Sequence, residues 1–400
     1  MFKNKTMNYH IARTKWLNAL VCVSIIFNLQ FSVFNFSNAQ TRYERTFTGS
    51  SQLSVEGTLN SAGQRDGNWR WWYPSGKLSQ QGSYSNGQKT GVWVVYYEDG
   101  SRMSEECHTG DGICRSWHRN GDLQSEVNVE KGKRHGTYHA WYANGQMKEE
   151  KSYVNGSLEG EARQWHANGK LAFTGTYRNN ELQGKASWWF ENGKPDMTGN
   201  MVDGEQDGEW LFYWRSTGKL GVRGSYAKGK EIGSWTYFYE TGERWRSGDY
   251  RAGKRQGVWT TWYESGKKLH EGRYLDDLEE GEWTAWYESG DVDYIGTFHR
   301  GLKEGQWKGL YDDGSVRYVM TYSDDEKDGE ELRYYPNGQL ELRQHFNNGV
   351  LDGKYERYNE AGAVVEKGQF SEGEKEGKWV WYDNGKEAYK AKFHAGKEVK

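Results

Sequence analysis

The sequence predicts an all-β protein: an elongated, single-layer antiparallel β-sheet, solenoid-like, built from about fourteen β-hairpin repeats of ~24 residues each. Three observations carry this. The stretch Gly257 to Gly266, GVWTTWYESG, returns 24 residues later as GEWTAWYESG from Gly281, and stands 24 residues earlier as GSWTYFYETG from Gly233. The 400 residues include 52 Gly, 21 Trp and 28 Tyr but only 3 Pro, and just 35% are hydrophobic. With a mean hydropathy of −1.04, aromatic packing in a repeat array fits better than a thick aliphatic core. Finally, X-Gly turns recur at fixed offsets, among them Asn120-Gly121, Asn144-Gly145, Asn168-Gly169, Asn192-Gly193, Asn337-Gly338 and Asn384-Gly385. Asn and Gly tolerate positive φ, so these are hairpin signals.

Residues 1–40 differ from all that follows. Lys3, Lys5, Arg13 and Lys15 precede an apolar run from Trp16 to Phe34, and Ser37-Asn38-Ala39-Gln40 ends it in small residues. These are the parts of a secretory signal peptide, or of an N-terminal membrane anchor if the leader is not cleaved. Either way the expected location is exported: periplasm, cell surface or medium. Residues 41–66 read as a lead-in holding a partial repeat, with Gly57 and Gly63 in its second half. The array then occupies residues 67–400, its units opening at Gly67, Gly91, Gly112, Gly136, Gly160, Gly184, Gly208, Gly233, Gly257, Gly281, Gly305, Gly329, Gly353 and Gly377.

Within a unit, positions are counted from the opening glycine as zero. Strand alternation puts the aromatics at +2 and +6 on one face (Trp259, Tyr263) and the +5 ring (Trp262) on the other. Across the turn, +11 is expected to pair with +6, and the aromatic at +17 to lie opposite +2 of the next unit. Glycine near +15 (Gly82, Gly175, Gly199, Gly248, Gly272, Gly296, Gly368) leaves room for a neighbouring ring. Two cysteines fall in the array. In Cys107 to Cys114 both aromatics that flank an inter-unit turn have become Cys and the turn is two residues shorter, which predicts a cross-strand disulfide in an oxidising compartment.

The run Gly-X-Trp-X-X-Trp-Tyr-X-X-Gly-Lys, followed by Gly-X-Tyr-X-X-Gly-Lys, resembles the MORN repeat (membrane occupation and recognition nexus), especially its bacterial variant. That variant is found in proteins similar to the YwqK family, often labelled antitoxins of toxin–antitoxin systems. The resemblance covers roughly residues 57–400 and implies a twisted hairpin array that serves as a binding scaffold. Ala162, Ala186 and Glu331 depart from the pattern at +2 and Asn359 at +6, while Gly208 to Gly218 is one residue long and Gly377 to Gly385 one short.

Function then turns on the +5 face. It carries a ladder of Trp72, Tyr96, Trp117, Trp141, Trp165, Trp189, Tyr213, Phe238, Trp262, Trp286, Tyr334 and Tyr358, with Trp381 in the shortened last unit, at rungs about 10 Å apart. These rings either cover the sheet and pack on Lys and Arg stems, or form a ligand-facing strip. A protein partner is the first expectation for such a strip and a polysaccharide the second. A net charge of −3, from 53 basic and 56 acidic residues, gives no reason to expect nucleic acid, and membrane contact is expected only through residues 1–40.

No nucleophile elbow, H-E-X-X-H or C-X-X-C is present, so neither an enzyme nor a cofactor is expected. His135 and His139 would sit ~13 Å apart on a strand, too far for one ion. His118 and His166, at +6, read as packing substitutes, and the acidic turns at Asp276 to Glu280 and Asp324 to Asp328 as solvated loops.

Overall fold

The structure, a computed structural model, describes residues 40–400; the predicted leader, Gln40 apart, lies outside the described residues. Thirty-one strands run from Thr41–Thr46 to Lys397–Val399. Each pairs antiparallel with the strands before and after it in sequence, so the chain makes one open meander without crossovers. At ~4.8 Å per strand its contour is on the order of 140 Å. The lead-in is a hairpin in its own right: Thr41–Thr46 pairs with Leu53–Leu59, and Tyr43 stands opposite Gly57 as Trp259 stands opposite Gly272.

Two kinds of turn alternate along the meander. Between units, except before Gly67 and Gly112, both turn residues have positive φ, as in Asn86 (47°) with Gly87 (82°) and Lys131 (49°) with Gly132 (75°). This is the two-residue turn whose twist matches that of its strands. Asn180, Asp277 and Asp325 stand where glycine is usual. Their side chains compensate by accepting the backbone N–H of Leu158 (2.8 Å), Arg255 (2.9 Å) and Lys303 (2.7 Å). Asp276 accepts from Gln256 (2.6 Å), so these acidic turns are held by protein donors.

Within a unit the turn is longer, and only its glycine takes positive φ. Asn144 acts through its side chain instead, Oδ1 accepting from Gln146 N (3.1 Å) and Nδ2 donating to Ala167 O of the next unit (2.7 Å). The shortened last unit explains itself here. Asp383 pairs directly with Lys386, and Asn384 (45°) and Gly385 (78°) form a two-residue turn.

The opening glycine is a bulge. From Gly272↔Trp283 the inter-unit register jumps to Arg273↔Glu280, leaving Gly281 (φ 73°) and Glu282 without a partner on that side. The indole of Trp283 then donates to Arg273 O (3.3 Å), a carbonyl beside the bulge. Trp93, Trp210, Trp259, Trp307 and Trp379 bond the equivalent carbonyl at 3.1–3.2 Å. This is why tryptophan, with an N–H to spend, recurs at +2 rather than phenylalanine.

Each +2 tryptophan lies flat across the +15 glycine of the preceding unit. A Cβ on Gly272 would meet Trp283 at 2.0 Å, and on Gly248 would meet Trp259 at 2.3 Å. The ring edge then receives the +17 aromatic, as in Tyr274–Trp283 (5.1 Å, edge-on) and Phe298–Trp307 (5.0 Å, edge-on). Lys and Arg two residues before the opening glycine cover the stack from outside: Lys89 over Trp93 (4.1 Å), Arg255 over Tyr274 (3.8 Å), Lys375 over Trp379 (4.0 Å).

Three parts of the expected register are corrected. The +17 residue pairs with its own unit's opening glycine and with position −2 of the next, and it is glycine +15 that opposes +2 on both sides. Position +11 pairs with +5, not +6, across a second bulge. The core face therefore holds +2, +4, +13 and +17, with Phe212 and Tyr237 at +4. The +6 aromatic lies outside the strands, and its role is described below.

The departures at +2 are compensated locally. Where Ala186 leaves the hole over Gly175 empty, Phe173 turns into it, with its ring 2.7 Å from where a Gly175 Cβ would be. Ala162 faces Lys151, whose ammonium sits over Tyr138 (5.3 Å) and pairs with Glu149 (2.6 Å). Glu331 is 1% exposed on the aromatic face, held by Lys327 (2.9 Å), Arg333 (2.7 Å) and Gln344 (2.8 Å).

Candidate binding face

The face opposite the aromatic core carries +1, +3, +5, +14 and +16. Trp72, Trp117, Trp141, Trp165, Trp189, Trp262 and Trp286 all lie on it at the ends of first strands, and each is half-buried. The ladder is interrupted by Leu310 and ends differently from expectation. Trp381 stacks on Trp379 (6.0 Å) and packs against Phe393 (6.1 Å) on the core face, because it is a +4 residue; Tyr382 is the last rung.

The +6 side chains fix the peptides that carry these rings. Tyr97 donates to Trp117 O (3.2 Å), Tyr142 to Trp165 O (2.9 Å), Tyr239 to Trp262 O (2.7 Å) and Tyr263 to Trp286 O (2.9 Å). Burial, then the charges of Glu264 and Glu288, push the Tyr239 phenol up, so it keeps the proton it donates. His118 and His166 make the same bond, Nε2 to Trp141 O (2.9 Å) and Trp189 O (2.8 Å), and Trp214 reaches Phe238 O (3.2 Å). The two histidines are thus hydrogen-bonding substitutes for tyrosine rather than packing ones. We predict that His118→Phe costs about 1 kcal/mol in thermal or chemical unfolding, while His118→Tyr restores the loss.

The rungs differ in what covers them. Arg102 lies over Trp117 (5.9 Å), Arg244 over Trp262 (5.0 Å) and Lys268 over Trp286 (5.3 Å), each basic residue coming from the preceding hairpin. Trp141 has His139 beside it (5.8 Å). Beside the ladder runs a file of directly paired residues, one per strand. From Glu105 to Arg163 acidic residues alternate with Arg115, His139 and Arg163, with Arg115–Glu126 at 2.7 Å, Arg115–Glu105 at 3.7 Å and Arg163–Glu150 at 4.0 Å. Beyond Arg163 it becomes Thr174, Ser187 and Thr198, the last two bonded hydroxyl to hydroxyl (2.7 Å), beside Trp165 and Trp189.

Cavities are shallow. One of about 210 Å³ is lined by Thr137, Glu150, Ser152, Glu161 and Arg163, whose charges already pair with one another. Another, of about 430 Å³ at the turn edge, is lined by Tyr287, Ser289, Tyr311 and Asp312. Among the described residues no group of three or more His, Cys, Asp or Glu is placed to hold a metal ion.

Cys107 and Cys114 are joined in a disulfide, Cα–Cα 5.6 Å. Sheet pairing between Arg102–Cys107 and Gly112–Trp117 is down to Ser104↔Ser116 and Glu105↔Arg115, and the covalent link continues where the ladder stops. His108, not Cys107, takes the +17 place, edge-on to Trp93 at 6.0 Å.

The family model for the MORN repeat variant matches residues 65–86, 110–131, 134–155, 158–179, 255–276, 279–299 and 327–348. The chain carries MORN repeats. Most matched segments begin two residues before an opening glycine and end at the first residue of the inter-unit turn, so the MORN unit is one hairpin with its bulge. No curated protein matches the chain. Solved structures that resemble it include those titled "Crystal Structure of TcdB2-TccC3-Cdc42" (10% identity, TM-score 0.16) and "Crystal Structure of TcdB2-TccC3-TEV" (10% identity, TM-score 0.15). A third is "Crystal Structure of TcdB2-TccC3 without hypervariable C-terminal region", at 11% identity and TM-score 0.15. The matches cover 86%, 86% and 90% of this chain but only 20%, 21% and 24% of those chains, so it spans about a fifth to a quarter of their length.

Proposed function

We propose that this protein is a non-enzymatic, exported scaffold whose MORN array binds another macromolecule, with a protein as the favoured partner. The observation behind this reading is the division of labour between the two faces. The +2 rings are buried and hold the sheet together, whereas the +5 rings are half-buried on backbone that the +6 side chains pin in place. Rigid, partly exposed tryptophans are the side chains that dominate protein–protein hot spots. Export rests on the character of residues 1–40. Occlusion of a toxic partner, as an antitoxin or immunity protein would do, is a special case of the same scaffold.

The run of Trp165 and Trp189 beside Thr174, Ser187 and Thr198 favours a second reading, a neutral polysaccharide, since ring faces and hydroxyls are what a sugar chain engages. Trp165→Ala/Trp189→Ala is expected to weaken partner capture from envelope or culture-fluid extracts by roughly tenfold or more, with the far-UV circular dichroism intact. The same variant run against insoluble polysaccharide separates the two partners. Unaltered capture of both by the variant contradicts a binding role for these rungs.

A further inference from the structure

Apart from the junction at the disulfide, where the first half is missing, the internal junctions between hairpins have two halves. Positions +16, +17 and +18 pair with −1, −2 and −3 of the next first strand; beyond the bulge, +13, +14 and +15 pair with +4, +3 and +2. At the far end of the described sheet only the first half exists. Lys392↔Val399, Phe393↔Glu398 and His394↔Lys397 repeat the internal register, while Tyr389, Lys390 and Ala391 have no strand on that side among the described residues. At the near end, Thr41–Thr46 supplies the other half alone. Tyr43, Glu44 and Arg45 face Gly57, Glu56 and Val55 in the register of +2, +3 and +4, and their outer edge has no strand among the described residues.

The two halves are complementary at four contacts. Because the last unit is one residue short, Tyr389 to Phe393 take the places of +13 to +17. Glu44 at +3 would stand opposite Lys390 in the +14 place, in the file where opposite charges already pair directly elsewhere, as Arg115 does with Glu126. Tyr43 at +2 would stand opposite Ala391, in the +15 place. Buried +2 tryptophans lie over glycines, but the +2 tyrosines Tyr138 and Tyr355 oppose Val127 and Gln344, so tyrosine is the residue that accepts a Cβ there. Phe393, in the +17 place, would meet the Tyr43 ring edge-on, as Phe370 meets Trp379 at 5.1 Å. Tyr389, half exposed at 50%, would be covered by Arg45.

We propose that a second copy of this chain docks its Thr41–Thr46 strand against Tyr389–Ala391, so that copies join head to tail into one continuous sheet. Such a junction is heterologous, and repetition gives a linear filament rather than a closed ring. Chain on either side of the described residues has only to leave the sheet edge at the junction. The proposal concerns self-association and stands apart from any partner on the tryptophan face.

The test is sedimentation velocity of the full chain over a concentration series. Oligomers that lengthen with concentration are expected. Glu44→Lys alone and Lys390→Glu alone each place like charges at the junction and should weaken association roughly tenfold. Both side chains are well exposed, at 41% and 65%, so the fold should tolerate either change. Mixing the two variants restores both kinds of junction and should restore assembly, as should both substitutions in one chain. A chain that stays monomeric throughout overturns the proposal, and so do oligomers that neither swap weakens or that the mixture fails to rescue.

Discussion

Gly272→Ala is expected to destabilise its part of the array by about 1–3 kcal/mol, more than its single methyl would suggest. The new Cβ would fall 2.0 Å from the Trp283 ring, and the obstruction is the fused edge of an indole rather than the end of a flexible chain. The ring must lift, breaking its bond to Arg273 O and its edge contact with Tyr274. Backbone strain does not enter, because Gly272 is not among the positive-φ glycines. A second substitution separates crowding from other causes. Trp283→Tyr in the Gly272→Ala background should recover part of the loss, because the array already pairs tyrosine at +2 with Val127 and Gln344 at +15. The coupling is read from a double-mutant cycle on chemical unfolding. Additive losses would show that the ring and the glycine do not share one space.

Glu331→Ala is expected to cost about 2–3 kcal/mol locally, at the low end for breaking a buried ion pair because Lys327 and Arg333 keep part of their contact with water. The same group makes stability depend on pH. Burial pushes the Glu331 carboxyl up, but hydrogen bonds from Lys327, Gln344 and Arg333, with the charge of Arg333, outweigh it and leave the group below its ordinary value. A carboxylate depressed in the folded state contributes its full stability above the unfolded value, near 4.3, and loses it as pH falls through the folded value. The hydrogen-exchange protection of Glu326–Tyr334 and Leu340–Asn347, taken relative to the intrinsic rate at each pH, should therefore fall below about pH 4 in the native chain. In Glu331→Gln that pH dependence should be flattened. An identical acid profile in the two would place the acid-labile group elsewhere.

Much of the architecture was legible because the repeat repeats. The 24-residue step, the aromatic first strand and the X-Gly turns gave the hairpin, its count and the room left at +15. What was not legible was the effect of the two bulges. Strict alternation from Trp259 puts Tyr263 on the core face, but the chain leaves the strand after Trp262, and the +12 bulge shifts the pairing of Lys268 to that residue. The opening glycine likewise looks like an ordinary strand residue until its φ marks it as a bulge, paired with its own unit but not with the preceding one. For the same reason the hydrogen-bonding role of +6 was hidden, although one signal was present. Tyr, His and Trp fill most occurrences of that position, Phe190 and Asn359 apart, and what the three have in common is a polar ring edge. Trp381 was misplaced because the shortened turn after it was counted as a lost strand residue, when the missing residue comes from the loop.

The division between a structural and an available aromatic face is tested most directly by comparing the thermal unfolding of Trp259→Ala with that of Trp165→Ala/Trp189→Ala. Trp259 is 5% exposed and lies over Gly248, so its loss should cost about 3–5 kcal/mol. The half-buried pair should cost about 1 kcal/mol per ring or less, because each already faces water on one side. If the ladder variant instead unfolds as readily as Trp259→Ala, the +5 rings are holding the sheet together and the face they line is not free to bind.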